Sequence, residues 1–159
     1  SVRHGPMEVF VLDTSIPLAT GEGGPEQIAW LDAALQASTA RWKVGLMHQP
    51  PYSSGHHGSH LAIRDAVQPL FARHGVDIVF TGHDHHYERT HPQEGVTYFV
   101  SGGGCKLSRV GTSDFTAFSS SILQFLHCEV RGDEMEVRCI RETGEVADRV
   151  LIARRGAMA

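Results

Sequence analysis

The sequence predicts an α/β domain with a mixed β-sheet, and two observations carry this prediction. Residues 43–80 read as strand, loop, helix and strand, the order of a right-handed crossover between parallel strands. Beyond residue 89 the pattern changes to short apolar runs separated by turn residues, which indicates antiparallel strands. At 159 residues the chain is long enough for one ordinary domain with a core of its own.

The N-terminal part predicts one strand followed by one helix. A strand is predicted over residues 8–12, because the four residues after Glu8 are continuously apolar, as in a buried strand. Asp13 follows as either a site residue or a turn residue, and the turn is the simpler interpretation because aspartate bonds the main chain two residues on. A helix is predicted over residues 25–37, since proline is favoured in the first helical turn. Its core-facing positions recur at helical spacing: Ile28, Leu31 and Leu35.

The crossover segment is predicted as strand 43–47, loop 49–59, helix 60–74 and strand 76–80. Gly75 is placed as a left-handed stop of the helix. Pro69 lies inside the helix and removes a main-chain donor, so it is expected to kink the helix or divide it in two.

The C-terminal part predicts an antiparallel edge and three irregular segments. The glycine triplet at 102–104 either lets main-chain amides approach a site or forms a turn with positive φ, and the turn is the simpler interpretation. Residues 112–121 are polar and predict a loop near the site or a flap. Residues 154–159 predict a flexible tail. The strands are predicted at 96–101, 122–130, 135–140 and 148–152.

Three histidines follow directly after the strand at residues 76–80. In an extended chain, His83 and His85 share one face, whereas Asp84 and His86 share the other. Two imidazoles would then converge on one point, which is typical of a metal site, although solvated loop histidines fit the same spacing. Gly82 is expected to permit a close or unusual main-chain approach there.

A second strand also ends in a histidine, because His48 follows the apolar residues 43–47. Parallel neighbouring strands present their carboxyl ends at the same edge, where open α/β sheets build their sites. His48, His83 and His85 are therefore expected to meet.

These two strand ends carry motifs that resemble those of a known family, the calcineurin-like metallophosphoesterases. The Tyr-Glu-Arg ending is similar to the purple acid phosphatase branch, and the resemblance covers nearly the whole chain. The motifs are His48-x-Pro50-x-Tyr52 and Gly82-His83-x-His85-x-Tyr87-Glu88-Arg89.

The resemblance implies both a fold and a reaction. The fold would be a four-layer α/β/β/α sandwich, with residues 1–153 as its C-terminal portion. The reaction would be hydrolysis of a phosphate ester at a dinuclear centre of Fe, Zn or Mn. His48 and His83 would bind one metal and His85 the other. His56 and His57, and less so His60, would contact the phosphate and protonate the leaving group, although solvated loop histidines fit their positions equally well.

The sequence also departs from the family pattern. It contains no asparagine, and the Asp-x-His, Gly-Asp-x-x-Tyr and Gly-Asn-His motifs are absent ahead of His48. The chain is therefore expected to supply the histidine half of the site and to need the missing N-terminal half of the same domain as its partner. Two other functions stay open: a metal-binding or interaction module with no catalysis, using three histidines and water around zinc, or an inactive fragment.

Composition limits the remaining possibilities. The net charge of −4 gives no basic patch for nucleic acid, and no apolar run approaches the length of a membrane span. Three cysteines without Cys-x-x-Cys spacing predict free thiols, with Cys128 and Cys139 buried on neighbouring strands. The compartment stays unknown, although the resemblance suggests a secreted or extracytoplasmic protein.

Overall fold

Two helices and two β-sheets form the fold of residues 1–154, the part of the chain that this computed structural model describes. The helices are α1 (Gly24–Ala37) and α2 (Leu61–His74). The strands are β1 (Val2–His4), β2 (Met7–Leu12), β3 (Trp42–Met47), β4 (Ile78–Thr81), β5 (Tyr87–Thr90), β6 (Thr97–Ser101), β7 (Thr116–Ser120), β8 (Gln124–Arg131), β9 (Glu134–Arg141) and β10 (Val146–Ala153).

The larger sheet is mixed, which confirms the predicted class. Its order is β1-β2-β3-β4-β6-β5-β7. Strands β2, β3, β4 and β6 run parallel, whereas β1, β5 and β7 join their neighbours antiparallel. The smaller sheet is an antiparallel meander in the order β10-β9-β8. The parallel pairing of β3 and β4 is what places the two histidine-bearing strand ends at one edge.

Each face of the larger sheet has its own core. Both helices pack on one face, with Leu31 and Leu35 of α1 and Val67 and Phe71 of α2 completely buried. The smaller sheet covers the other face, where Met135 and Cys139 of β9 pack against the central strands. The described residues thus supply helix, sheet and sheet, three of the four layers that the resemblance implies.

Local signals in the sequence fix the helix ends as predicted. Pro25 lies in the first turn of α1. The His60 ring accepts a hydrogen bond from the Ile63 amide at the start of α2, and Gly75 ends α2 with φ 68°. Pro69 lies inside α2, which continues through it as one helix, so of the two expected alternatives the division into two helices does not occur. The Asp13 side chain accepts hydrogen bonds from the amide and hydroxyl of Ser15, as expected of a turn residue.

Three predictions are wrong. Residues 116–120 form an edge strand, β7, because they pair with β5 over four positions. The glycines at 102–104 all lack positive φ. Cys128 is exposed, whereas Cys139 is buried as predicted. Of the predicted tail, Arg154 is held by a hydrogen bond of 2.8 Å from its amide to the Asp133 carbonyl, and residues 155–159 lie outside the described part.

Neither helix of the described part is long and apolar enough to cross a membrane.

A mostly buried ion pair joins β5 of the larger sheet to β10 of the smaller sheet. Arg89 of β5 donates to both carboxylate oxygens of Asp148 in β10, at 2.7 and 3.0 Å, and the Tyr87 hydroxyl donates to the same carboxylate at 2.7 Å. Burial alone would raise the pKa of Asp148, but the hydrogen bonds from Arg89 and Tyr87 hold this pKa below its ordinary value. The carboxylate is therefore charged at neutral pH and depends on Arg89 for compensation.

We expect Arg89→Ala to lower the free energy of unfolding by about 3 kcal/mol, because it leaves a mostly buried carboxylate without its cation. Arg131 is the control. It pairs with Glu129 on the smaller sheet but is 75% exposed, so Arg131→Ala should cost less than about 1 kcal/mol. Urea denaturation of the two variants measures both values. Equal losses would contradict a special role for the pair between the sheets.

Candidate functional site

The carboxyl ends of β3 and β4 place two histidines side by side. His48 follows the last residue of β3, and His83 follows β4 by two residues. The Gly82 amide donates to the His48 carbonyl at 3.0 Å, so the pairing of the two strands continues into the loops. As a result, His48 Nε2 lies 3.1 Å from His83 Nδ1.

Four imidazole rings form a continuous row at this edge. The His48 and His83 ring centroids are 5.0 Å apart, and the His57 ring centroid lies 4.5 Å from that of His83. The His56 ring follows at 5.0 Å from His57. We call these four residues the histidine row. It joins two of the histidines expected to bind metal to the two expected to act on the substrate.

His83 reaches this position through an unusual main-chain conformation. Residues 82–86 are not part of a strand, and His83 has φ 67°, in the left-handed region that side chains other than glycine rarely adopt. The amides of Asp84 and His86 donate to the carbonyls two residues earlier, at 2.8 and 2.9 Å. These tight turns, and not a strand, separate the partly exposed His83 and His85 from the buried Asp84 and His86. The unusual conformation expected at Gly82 therefore falls on His83.

The His85 ring does not contact the histidine row. Its ring makes no hydrogen bond and no ring contact within residues 1–154, while its carbonyl accepts from the Ser108 amide at 2.9 Å. His60, the weaker candidate, is exposed at the start of α2.

Asp84 is completely buried and anchors the loop that carries His56 and His57. Its carboxylate accepts from the Ser53 hydroxyl at 2.5 Å and from the His57 amide at 3.0 Å. The His57 main chain is therefore fixed to the turn that carries His83. This hydrogen bond helps to keep the His57 and His83 rings in contact.

Glu88 is a second buried carboxylate, and it joins three segments of the chain. It accepts from the Ser54 amide at 2.7 Å, from the Thr116 hydroxyl at 2.6 Å and from His86 Nε2 at 3.2 Å. Burial alone would raise the pKa of Glu88, but these hydrogen bonds hold it below its ordinary value. Because the charged carboxylate is an acceptor, His86 carries its proton on Nε2. His86 Nδ1 is left buried without a partner.

Two glycines let the main chain close tightly around this turn. A β-carbon on Gly55 would lie 2.4 Å from His86 Cε1 and 2.8 Å from Asp84 Cγ. A β-carbon on Gly102 would lie 2.1 Å from the Asp84 carbonyl oxygen. The turn at Asp84 is thus enclosed on two sides by positions that admit only glycine. One of the two roles considered for the glycine triplet was a close approach of the main chain to a site. Gly102 does make such an approach, but to the turn at Asp84.

The surroundings of His83 favour its neutral form. Burial lowers the pKa of His83, and the neighbouring His57 and His48 rings lower it further. A neutral imidazole offers a lone pair, which metal ligation requires. Within residues 1–154, however, no group of three or more histidine, cysteine, aspartate or glutamate side chains is arranged to hold a metal ion. The facing nitrogens of His48 and His83 fit the imidazole part of such a site.

The family follows from comparison with known proteins. The profile of the calcineurin-like phosphoesterases matches residues 4–87, more than half of the chain. The chain belongs to this family. The match spans β1 to the first residue of β5 and includes all four members of the histidine row.

Individual relatives confirm the likeness to the purple acid phosphatases. Purple acid phosphatase 3 of Arabidopsis thaliana is 33% identical over 86 residues, which cover 54% of this chain and 24% of the relative. An uncharacterized protein of Mycobacterium tuberculosis is 43% identical over 81 residues, 47% of this chain and 15% of the relative. The chain thus spans less than a quarter of the length of either relative.

A solved structure shows the same fold. The purple acid phosphatase PPD1 from yellow lupin (Lupinus luteus) seeds superimposes with a TM-score of 0.83 at 20% sequence identity. The alignment covers 94% of this chain and 31% of the lupin protein.

The side chains that support this site are not evident from the sequence. The spacing of the histidines indicates their place at the strand ends, but it points to no role for Ser53, Ser54 or Thr116, and Glu88 stands out only as part of the Tyr-Glu-Arg ending. The alternation of residues 83–86 was the one available signal, since it placed Asp84 and His86 together on the face away from the expected ligands. Their partners lie far away in the sequence, where spacing carries no information.

We expect Gly102→Ala to lower the free energy of unfolding by at least about 2 kcal/mol, because the added methyl group overlaps the Asp84 carbonyl. Gly104→Ala is the matched control from the same triplet. It has no atom within 4 Å of the added carbon and no positive φ, so it should stay within about 1 kcal/mol of the parent protein. Thermal and urea unfolding measure both. A Gly102→Ala variant as stable as Gly104→Ala would show that the turn is not tightly enclosed.

Proposed function

We propose that the intact protein is a metal-dependent phosphoesterase, and that this chain supplies the histidine side of its metal centre. The observation that carries the proposal is the 3.1 Å separation of His48 Nε2 and His83 Nδ1 at the carboxyl ends of two parallel strands. Membership of the calcineurin-like phosphoesterase family supports it. His85 is proposed as a ligand of a second metal, as the resemblance to the purple acid phosphatases implies.

The donor set limits what the chain does alone. Imidazoles suit zinc, iron and similar ions, and a dinuclear centre needs anionic oxygen ligands as well. Asp84 is not available for this purpose, because its carboxylate already accepts from Ser53 and His57 inside the core. The remaining ligands are therefore proposed to come from the rest of the domain. Two bound metal ions would activate water and neutralise charge on the phosphoryl oxygens.

His57 and His56 are proposed to act on the substrate. The His57 ring contacts the His83 ring, its amide is fixed by Asp84, and the His56 ring follows next to it. Both side chains are exposed and can meet a bound ester. An imidazole with an ordinary pKa near 6.5 can donate a proton to the departing alkoxide at neutral or mildly acidic pH.

The substrate is proposed to be a phosphomonoester, with a phosphodiester as the second choice. A location outside the cytoplasm stays a prediction that rests on the resemblance alone. Iron, zinc and manganese stay equal candidates for the metals, because the imidazole ligands do not separate them.

We expect His83→Ala to lower the turnover of p-nitrophenyl phosphate by the intact protein at least about 100-fold, because it removes a proposed metal ligand. His127→Ala is the control. His127 is exposed on β8, where it contacts Arg138, and its loss should leave turnover unchanged. Unchanged turnover in His83→Ala would contradict the proposed metal centre.

Metal stoichiometry separates the proposed function from the two alternatives. Elemental analysis of the purified intact protein should find two ions per molecule for the phosphoesterase. One ion would indicate the metal-binding module without catalysis, and none would indicate an inactive fragment. The proposal requires two ions in the parent protein and fewer in His83→Ala.

The leaving group tests His57 and His56. We expect His57→Ala to lower kcat about 100-fold for an alkyl phosphate, whose leaving alkoxide needs a proton, and much less for p-nitrophenyl phosphate, whose leaving phenolate does not. His56→Ala tests whether the acid is shared, and His127→Ala again serves as control. Equal loss for both esters in both variants would exclude protonation of the leaving group by these histidines.

A further inference from the structure

An open cleft of about 460 Å³ lies at the outer end of the histidine row. One wall contains Gly55 and His56, and the other is formed by residues 108–111. Because His57 and His56 lie between His83 and this cleft, a substrate whose phosphoryl group is bound at His83 would extend its leaving group towards the cleft. The cleft is thus placed to contact the part of the ester that differs between substrates.

The main chain of residues 108–111, which we call the strap, is fixed to the site loops. The Ser108 amide donates to the His85 carbonyl at 2.9 Å, and the Gly111 amide donates to the Ser54 carbonyl at 3.0 Å. Val110 pairs with Gly55 in an isolated β-bridge. The Ser119 hydroxyl of β7 donates to the Gly111 carbonyl at 2.7 Å. Arg109 therefore has anchored residues on both sides.

Arg109 carries an uncompensated charge into this cleft. Its side chain is exposed and makes no hydrogen bond or ion pair within residues 1–154. Arg89, Arg131 and Arg149, by contrast, each pair with a carboxylate. A guanidinium group binds phosphate and carboxylate through two parallel hydrogen bonds, so a free arginine beside a phosphoester site is suited to a second anion.

We propose that Arg109 is a specificity residue that binds a second anionic group, a phosphate or a carboxylate, on the leaving group of the substrate. The inference rests on the proposed function, because it assumes that an ester is hydrolysed at the histidine row. It narrows the substrate class from phosphomonoesters in general to esters that carry a second negative charge beyond the scissile bond.

The test compares esters with and without the second anion, using the intact protein. p-Nitrophenyl phosphate has no second anion, 4-carboxyphenyl phosphate has a carboxylate, and 1,4-phenylene bis(phosphate) has a second phosphate on its leaving group. The parent protein should have a higher kcat/KM for at least one of the two anionic esters. Arg109→Ala should lower the ratio of that kcat/KM to the value for p-nitrophenyl phosphate about 10-fold, as expected when a charge-assisted contact is lost. Arg109→Lys, which keeps the charge but not the paired geometry, should lose less.

Lys106→Ala is the matched control. Lys106 is an exposed cation three residues before Arg109 that does not line the cleft. Its removal should leave the ratio unchanged, whereas an equal fall would show a general effect of charge and overturn the assignment to Arg109. A fall with 1,4-phenylene bis(phosphate) alone assigns the second group as phosphate, and a fall with 4-carboxyphenyl phosphate alone assigns it as carboxylate.

The two proposals fail in different ways. If the parent protein hydrolyses p-nitrophenyl phosphate and Arg109→Ala leaves both ratios unchanged, the specificity role is wrong and the phosphoesterase stands. If the parent protein hydrolyses none of the three esters, the phosphomonoester proposal falls and the inference falls with it.

Discussion

The geometry of the site depends on two carboxylates, Asp84 and Glu88, that are buried within the polar centre of the fold. A buried charge is costly unless hydrogen bonds compensate it. Asp84 is compensated by Ser53 and the His57 amide, and Glu88 by Ser54, Thr116 and His86. The two carboxylates therefore hold in place the loop segments whose amides and hydroxyls donate hydrogen bonds to them. The exposed imidazoles on these segments thereby have defined positions, although they do not contact the core themselves. Such support for ligating and reacting side chains is what precise site geometry requires.

His83 illustrates the cost of this arrangement. A residue with a β-carbon in the left-handed region loses roughly 1–2 kcal/mol of free energy relative to ordinary backbone. The conformation is maintained because the main chain is held on both sides of His83. On one side the Gly82 amide donates a hydrogen bond to the His48 carbonyl just beyond β3, and on the other side the turn at Asp84 is tightly enclosed. The strain falls on the residue whose ring nitrogen faces His48. Strained main chain of this kind is concentrated at functional sites, where the surrounding structure can sustain it.

The sequence was sufficient for the parts of the fold that short-range patterns determine. Leu31 and Leu35 identified the buried side of α1, Gly75 identified the end of α2, and the rule for parallel strands placed His48 beside His83.

The sequence was insufficient where contacts between distant residues determine the local structure. Thr116–Ser120 is polar and reads as a loop, but pairing with β5 makes it a strand. The glycines at 102–104 read as a turn, but Gly102 is required because the Asp84 carbonyl lies against it. Glu88 gives no local signal for burial, since charged residues are mostly exposed, and the only local signal for Asp84 is the alternation of residues 83–86.

The long sequence separation of these contacts has a consequence for folding. Ser53 and Asp84 are 31 residues apart, Ser54 and Glu88 are 34, and His48 and His83 are 35. Closing loops of this length costs conformational entropy before the contacts repay it, so non-local structure forms slowly compared with helices and turns. The histidine row therefore assembles only after α2 has formed and β4 has docked beside β3. During synthesis, the imidazoles that follow β3 emerge before their partners beyond β4 exist, so their positions are fixed only once β4 has been made and has paired with β3.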